Sequence, residues 1–293
     1  AWFPQALSPE EIITPGERNP MLASPYSLNM VAKDGVNQSA ALILTTAGKA
    51  RSLGIPEAKW IYLHGYTETV ELDLMQRPEL GRSQALEQAL TGVLAATGRE
   101  VSDIRYFDFY SCFPIVVLEA RDALEIPAND PRALTQTGGL PYFGGPGNNY
   151  SIHAIASMMQ TLRGDPGSHG LVYANGGFMS KHAVGVYSAD APADWQPCDS
   201  AELQKIVDGQ QRVQTDSSPA GAGRIESWVV SYRKGTPAGV IIAGRLSDNG
   251  ERFLAVSIPG DKEMLAEFTG GDPLGRSIRV QAGPEANTFT FSD

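Results

Sequence analysis

Between residues 40 and 188, short apolar runs alternate with stretches of helical spacing, and this alternation restricts the fold more than any other feature. AALILTT (40–46) is almost wholly apolar, as expected of a strand covered on both faces. AGKARSLGI reads as a short helix closed by Gly54, and KWIYLHGYTET (59–69) as a second strand. SQALEQALTGVLAATG (83–98) puts Leu86, Ala89, Leu90, Val93 and Leu94 on one helical face and stops at Gly98. DIRYFDFY (103–110) is strand-like, and FPIVVLEARDALEI (113–126) returns to helical spacing through Phe113, Val116, Val117, Ala120 and Leu124. A glycine- and proline-rich loop, TQTGGLPYFGGPGNN, then feeds a helix showing Ile152, Ile155, Met159 and Leu162 on one side. HGLVYANGG and MSKHAVGVYS (169–188) read as two strands around a glycine turn. Such alternation predicts an α/β domain, with a mixed, mostly parallel sheet and helices on both faces.

The pattern changes at SADAPADWQPCDS (188–200), a linker by composition, followed by the helix-like SAELQKIVDG. Beyond TDSSPAGAG come three β-rich runs, RIESWVVSYRKG, AGVIIAGRLS and ERFLAVSI, turning at KGTP and Asp248–Gly250. DKEMLAEF reads as a helix, and SIRVQA and TFTFS as two more strands. Three strands, a helix and two strands is the order of an all-β, OB-like barrel. The expected organisation is an irregular arm (1–35), an α/β domain (36–189), a linker with a short helix (190–223) and an OB-like β domain (224–293).

Several function classes are disfavoured. A net charge of −10 argues against nucleic acid as the main partner. In the C-terminal part, Trp228, Tyr232 and Phe253 sit in alternating strands and read as barrel filling, without the basic groove that single-strand binding requires. Cys112 and Cys198 form no CxxC, which fits a reducing cytoplasm. His64, His153, His169 and His182 show no HxH or HExxH spacing, so no metal site is expected. No apolar stretch is long enough to span a bilayer. The start, AWFPQALSPEEII, has neither a signal-peptide pattern nor an initiator methionine and reads as the middle of a longer chain. The glycine loop has no GxxxxGK[ST] lysine and does not match GxGxxG after a strand, and no GxSxG elbow occurs.

Four segments taken together resemble the C-terminal half of the thiolase superfamily, especially its sterol-carrier-type and thiolase-like branches. Asn37–Leu42 in GVNQSAALIL is similar to the family's DGAAAL segment, and Tyr110-Ser111-Cys112-Phe113 to its NEAF or HDCF motif. Gly138 through Gly147 resembles the GG…GHPxG loop, and Ala174-Asn175-Gly176-Gly177 the CxGxG-type hairpin. The resemblance covers about the first 190 residues. It implies acyl-CoA thioester handling of the acetyl-CoA acetyltransferase type, with CoA thioester as substrate or ligand and no covalently bound cofactor.

The departures bear on the chemistry. The family's nucleophilic cysteine lies in an N-terminal half that this chain lacks, so that half is an expected partner and this portion alone is expected to be inactive. The family's loop histidine falls on Gly145, its hairpin cysteine on Ala174, and its NEAF asparagine on Tyr110. Carbon–carbon bond formation needs a base and a nucleophile, and neither stands at those positions. Gly144, Gly145 and Pro146, with Asn175, Gly176 and Gly177, are the candidate substrate-binding backbone. Three readings follow: a thiolase-like acyl-CoA protein, a non-catalytic acyl-CoA-binding or scaffolding protein, and an altered thioester enzyme. The last would use Cys112, Tyr110 or His182. Each has a plain structural alternative: a buried thiol, a core tyrosine, and a strand-end histidine. His153, Asn148, Asn149 and Ser151 read as packing and capping groups of the helix after the loop. Arg51, Arg77, Arg82 and Arg163 read as solvated ion pairs rather than phosphate ligands. Oligomeric state, acyl chain length and pathway are left open.

Overall fold

The computed structural model describes residues 1–292. In chain order it forms α1 (Pro9–Ile13), β1 (Met21–Ala23), β2 (Tyr26–Ser27), α2 (Ala47–Ser52), β3 (Tyr62–Val70), α3 (Gln84–Thr97), β4 (Ile104–Phe109) and α4 (Pro114–Ala123). There follow α5 (Leu140–Phe143), α6 (Tyr150–Gly164), β5 (His169–Gly176), β6 (Lys181–Ser188) and α7 (Ser200–Asp208). The last elements are β7 (Gly221–Arg233), β8 (Thr236–Leu246), β9 (Arg252–Ser257), α8 (Lys262–Gly270), β10 (Ser277–Gln281) and β11 (Thr288–Phe291). Two compact units result. One comprises residues 1–6, 31–72 and 82–209; the other comprises 7–30, 73–81 and 210–293.

In the first unit a four-stranded sheet runs β3-β6-β5-β4. α3 forms where its spacing predicts: Ser83 caps it by accepting from Leu86 N at 3.2 Å, and Gly98 closes it at φ 61°. Its buried face, Leu86, Ala89, Leu90, Val93 and Leu94, packs with Val116 and Ala120 of α4 and with Phe107, Phe109, Leu171, Tyr173 and Val184 of the sheet. Thr67 and Thr69 of β3 tighten that contact by donating to the Ala89 and Ala85 carbonyls at 2.6 and 2.7 Å. Val172, whose side chain alternates with its neighbours, instead joins Tyr150, Ala154, Met158 and Leu162 of α6. Gly170 makes room for that helix, because a Cβ there would collide with Met158 Sδ.

Four expectations need correction. The sheet is mixed but not mostly parallel: β4–β5 is parallel, whereas β5–β6 and β3–β6 are antiparallel, because the hairpin inserts β6 between β5 and β3. Residues 40–46 form no strand, and Ile43 and Leu44 are 87% and 89% exposed. Both sheet edges are already covered. On β3, Ser200 Oγ accepts from Glu68 N and the Gln204 amide bonds both Val70 N and Val70 O, at 2.7 and 2.8 Å. On β4, Arg132 donates to the Ile104 carbonyl, Gln136 to the Phe107 carbonyl, and Phe109 N to the Leu134 carbonyl. With both edges capped, the apolar run has no ladder to join in this unit. The fully buried stripe of α6 is Tyr150, Ala154, Met158 and Leu162; of the expected face Leu162 is in it and Ile155 packs half-buried against it, while Ile152 and Met159 do not belong to it. Phe113, assigned to the buried face of α4, caps that helix instead and is 38% exposed.

In the second unit β7, β8 and β9 form an antiparallel meander, β9 pairs β11 in parallel, and β10 pairs both β11 and β7, which closes a five-stranded barrel. α8 lies between β9 and β10 in sequence. Phe253, Phe268, Phe289, Val230, Ile242 and Ile278 fill the interior, with Trp228 and Tyr232 packed against them. Part of the expected irregular arm is ordered: α1 carries a Ser8–Glu11 capping box, and the β1–β2 hairpin pairs with β7 at Ala23–Ser231. Arg252 is fully buried and holds Glu226 at 2.6 Å, while also donating to the carbonyls of Met75, Arg77 and Pro78.

Candidate functional site

The turn from β4 into α4, Tyr110-Ser111-Cys112-Phe113, is tied to three separate segments. Tyr110 N donates to the Tyr173 carbonyl at 3.1 Å, and Ala32 N donates to the Cys112 carbonyl at 2.9 Å. Leu140 N, at the start of α5, donates to Ser111 Oγ at 3.1 Å. Asn175 Nδ2 approaches Cys112 Sγ at 3.7 Å, which joins the end of β5 to the same turn. The Tyr110 ring meets Tyr150 edge to face, with centroids 5.3 Å apart.

Beside this turn, Asp108 governs the glycine loop. It is fully buried in β4, and its Oδ2 accepts from Thr135 Oγ1, Gln136 N and Thr137 N at 3.1, 2.7 and 3.2 Å. Its Oδ1 accepts from the Tyr150 hydroxyl at the first residue of α6. Both ends of the loop therefore hang on one carboxylate. Burial raises its pKa above the ordinary carboxylate value, with the four hydrogen bonds acting the other way. Asp108 was missed in the sequence, although an aspartate inside the aromatic run IRYFDFY carries a signal, since a buried carboxylate requires partners.

The loop itself lies against residues 32–38. Gly145 N donates to the Lys33 carbonyl at 2.8 Å, and Gln38 Nε2 donates to the Phe143 carbonyl at 2.9 Å. Gly144 sits at φ 117°, and a Cβ there would strike Gln38 Oε1. A Cβ on Gly145 would stand 3.2 Å from Ala32 Cβ and 3.4 Å from the Lys33 carbonyl oxygen. The Lys33 ammonium lies over the Phe3 and Tyr142 rings, 4.9 and 5.5 Å from their centroids, and burial lowers its pKa. Asn149 does not cap α6 with its side chain; its Nδ2 donates to the Gln38 carbonyl and meets His153 Nε2 at 3.2 Å.

The candidate residues divide into two groups. Cys112 touches Asn175 directly, and Gly145 reaches Cys112 through the adjacent pair Ala32–Lys33, so these positions and Tyr110 gather around one turn. His182 hydrogen-bonds to a different set of side chains, although it lines one cleft together with Ala174 and Asn175. Its Nδ1 lies 2.9 Å from the Tyr173 hydroxyl and its Nε2 3.3 Å from Ser83 Oγ. Ser83 in turn donates to Glu71 Oε2 at 2.9 Å. The chain Tyr173–His182–Ser83–Glu71 is buried throughout and ends on the α3 cap. Cys112 and His182 are thus not partnered as nucleophile and base. The Cys112 thiol is pushed above its ordinary pKa by burial, against smaller opposing hydrogen bonds including that of Asn175. Burial also raises Tyr110.

A cleft of about 620 Å³ opens beside the end of β5. Glu68 and Val70 of β3, Ala174 and Asn175 of β5, Lys181 of β6 and Gln204 of α7 line it. At the β5–β6 tip, Gly177, Phe178 and Met179 all hold positive φ, and Phe178 is 93% exposed. Two of the four arginines considered for phosphates form surface ion pairs, Arg51 with Glu57 and Arg82 with Glu87. Arg163 donates to the Lys59 carbonyl, and Arg77 is buried rather than solvated. Among the described residues no group of three or more His, Cys, Asp or Glu side chains could hold a metal ion, and no helix is long and apolar enough to cross a membrane.

Comparison with known proteins finds relatives of the chain. The family described as the thiolase-like protein type 1 additional C-terminal domain matches residues 202–284. The crystal structure of a monomeric SCP2-thiolase like protein type 1 from Mycobacterium smegmatis is similar at 43% identity and a TM-score of 0.91. That match covers 97% of this chain and 61% of the relative, so the chain spans about three fifths of the relative's length. Human mitochondrial 3-ketoacyl-CoA thiolase is similar at 16% identity and a TM-score of 0.40, over 50% of this chain and 34% of its own. No curated protein matches the sequence.

Proposed function

The chain belongs to the thiolase superfamily, as a thiolase-like protein, and we propose that it is the C-terminal portion of a protein that handles acyl-CoA thioesters without the family's carbon–carbon bond-forming chemistry. One observation carries the reading. Gly145, which the resemblance sets at the family's loop histidine, is held to the Lys33 carbonyl, and a side chain's first carbon there would stand only 3.2 Å from Ala32 Cβ, crowding the Ala32–Lys33 segment. Ala174, aligned with the hairpin cysteine, lines the cleft with a methyl group that offers neither a nucleophile nor a proton. A thioester could be bound there but not activated.

In this reading Gly144, Gly145, Pro146, Asn175, Gly176 and Gly177 supply the backbone beside the thioester. Acyl-CoA or CoA and a preceding thiolase half are the partners, and the compartment is the cytoplasm. The thiolase-type domain is read as residues 36–189 without the 73–81 excursion, which belongs to the other unit; the separation of the Val172 and Tyr173 clusters supports helices on both sheet faces. Residues 224–293 are read as OB-like, supported by the meander, the parallel β9–β11 pair and the β10–β7 closure.

The test is calorimetric titration of the full-length protein with acetyl-CoA and CoA, alongside an acetoacetyl-CoA thiolysis assay. Binding without turnover is expected. Robust thiolysis refutes the loss of condensing chemistry, and absence of binding refutes the acyl-CoA reading.

A further inference from the structure

At the end of the sheet away from the cleft, two histidines meet. His64 near the start of β3 and His169 at the start of β5 are 8% and 9% exposed. Their rings pack edge to face, with centroids 5.0 Å apart at 87°. His64 Nε2 lies 2.8 Å from the Asp190 carbonyl oxygen; a carbonyl only accepts, so Nε2 carries the proton. Asp190 stands two residues past the end of β6, and its own N–H donates to Ser188 Oγ at 3.2 Å. It opens the irregular stretch 189–199, which leads into α7. His169 Nε2 is buried with no hydrogen-bond partner, so no acceptor meets a ring proton at that nitrogen.

We infer that the His64–His169 pair is an acid-sensitive latch, which holds the exit of β6 and the 189–199 stretch against the sheet at neutral pH and releases them on acidification. The charged groups that face the pair come from three other elements. Arg99 just beyond α3 opposes an imidazolium, whereas Asp103 in the turn before β4 and the Asp190 carboxylate favour one. Burial outweighs these, and both rings stay below the ordinary histidine value; for His169 the Arg99 charge and the His64 ring reinforce burial.

The direction of the effect follows from linkage. In the open form each histidine takes up its proton near pH 6.5, while the closed form holds protons off until a lower pH. The closed latch is therefore fully favoured above about 6.5 and weakens as pH falls below it. Two rings in contact make the change steeper than one would, since charging the first makes charging the second in place harder.

Hydrogen exchange of the full chain, corrected for the intrinsic pH dependence of exchange, tests the latch between about pH 7.5 and 5. The opening constant for amides of 188–199 is expected to rise, by at most about tenfold per histidine per pH unit below 6.5, while α3 core amides stay protected. His64→Gln keeps an amide donor within reach of the Asp190 carbonyl, and His169→Phe keeps the edge-to-face ring. The double variant should exchange independently of pH in this stretch. A flat wild-type profile overturns the inference, as does a double variant with the wild-type pH dependence. Should the double variant be loose at every pH, His169→Phe alone must reduce the slope, and an unchanged slope overturns it equally.

Discussion

The Tyr150 hydroxyl donates to Asp108 Oδ1 at 3.1 Å, and this contact joins the first turn of α6 to the buried end of β4. The same carboxylate takes two loop N–H groups and the Thr135 hydroxyl on its other oxygen. Asp108→Ala leaves these buried donors without an acceptor and is expected to cost about 3 kcal/mol in urea unfolding. Asp108→Asn can keep its Oδ1 on the loop donors and offer Nδ2 to Tyr150, whose proton turns to Thr137 Oγ1, 2.7 Å away. Its cost should stay within about 1 kcal/mol. Because burial raises the Asp108 pKa, the ionised carboxylate subtracts stability as pH rises above about 3.9 and through the folded value. The asparagine variant lacks that contribution, so it should gain on the wild type over that window.

Placing a histidine at Gly145 is predicted to be destabilising for steric reasons. Gly145→His places its first carbon 3.2 Å from Ala32 Cβ and must push the Ala32–Lys33 strap outward. A loss of about 1–3 kcal/mol is expected, with no gain of acetoacetyl-CoA thiolysis in the full-length protein. Gly144→Ala should be worse than Gly145→Ala, since Gly144 adds a positive φ of 117° to a collision with Gln38. Thermal melts of the two alanine variants give the ranking; a reversed order would contradict the strap geometry.

How legible this was in the sequence depends on which forces are local. α3 was readable to the residue because its cap, its 3.6-residue stripe and its terminal glycine all agree. The barrel strands were readable from turns and alternation. AALILTT was misread because composition reports that a segment wants cover, not whether a strand edge is free; Gln204 and Arg132, distant in sequence, decide that. At the site, Asp108 was hidden by the aromatic strand around it. The close approach of Ala32 to Gly145 is a tertiary fact that no local pattern carries.

The edge cap on β3 gives a separable prediction. Gln204 satisfies both the N–H and the carbonyl of Val70, which is 52% exposed. Gln204→Leu keeps helix propensity and bulk but frees that edge. Stability should fall by about 1 kcal/mol, while self-association in sedimentation velocity should rise; no change in either would show that the clamp is incidental.

In the barrel, Arg252 is fully buried between Glu226 and three carbonyls of residues 75–78. Glu226 has its pKa lowered overall: burial pushes it up, and its bonds to Arg252 and Arg245 more than offset this. Arg252→Met fills the volume but strips those carbonyls of their donor and leaves Glu226 with Arg245 alone. A loss of about 3 kcal/mol is expected. Glu226→Gln should cost less, because Arg252 keeps its carbonyl acceptors; guanidinium unfolding distinguishes the two.

Cys112 separates a structural thiol from a nucleophilic one. Its pKa is raised by burial, and the Asn175 amide, which counteracts this, is its side-chain hydrogen-bond donor at 3.7 Å. In a Cys198→Ser background, alkylation by iodoacetamide at neutral pH should be much slower than for an exposed thiol and should accelerate only above about pH 9. Asn175→Leu keeps the side chain's bulk while removing the bond that favours the thiolate, so it should move the alkylation profile to still higher pH. Fast alkylation at pH 7, lost on the leucine substitution, would instead mark Cys112 as an activated nucleophile and revive an altered thioester enzyme on this fold.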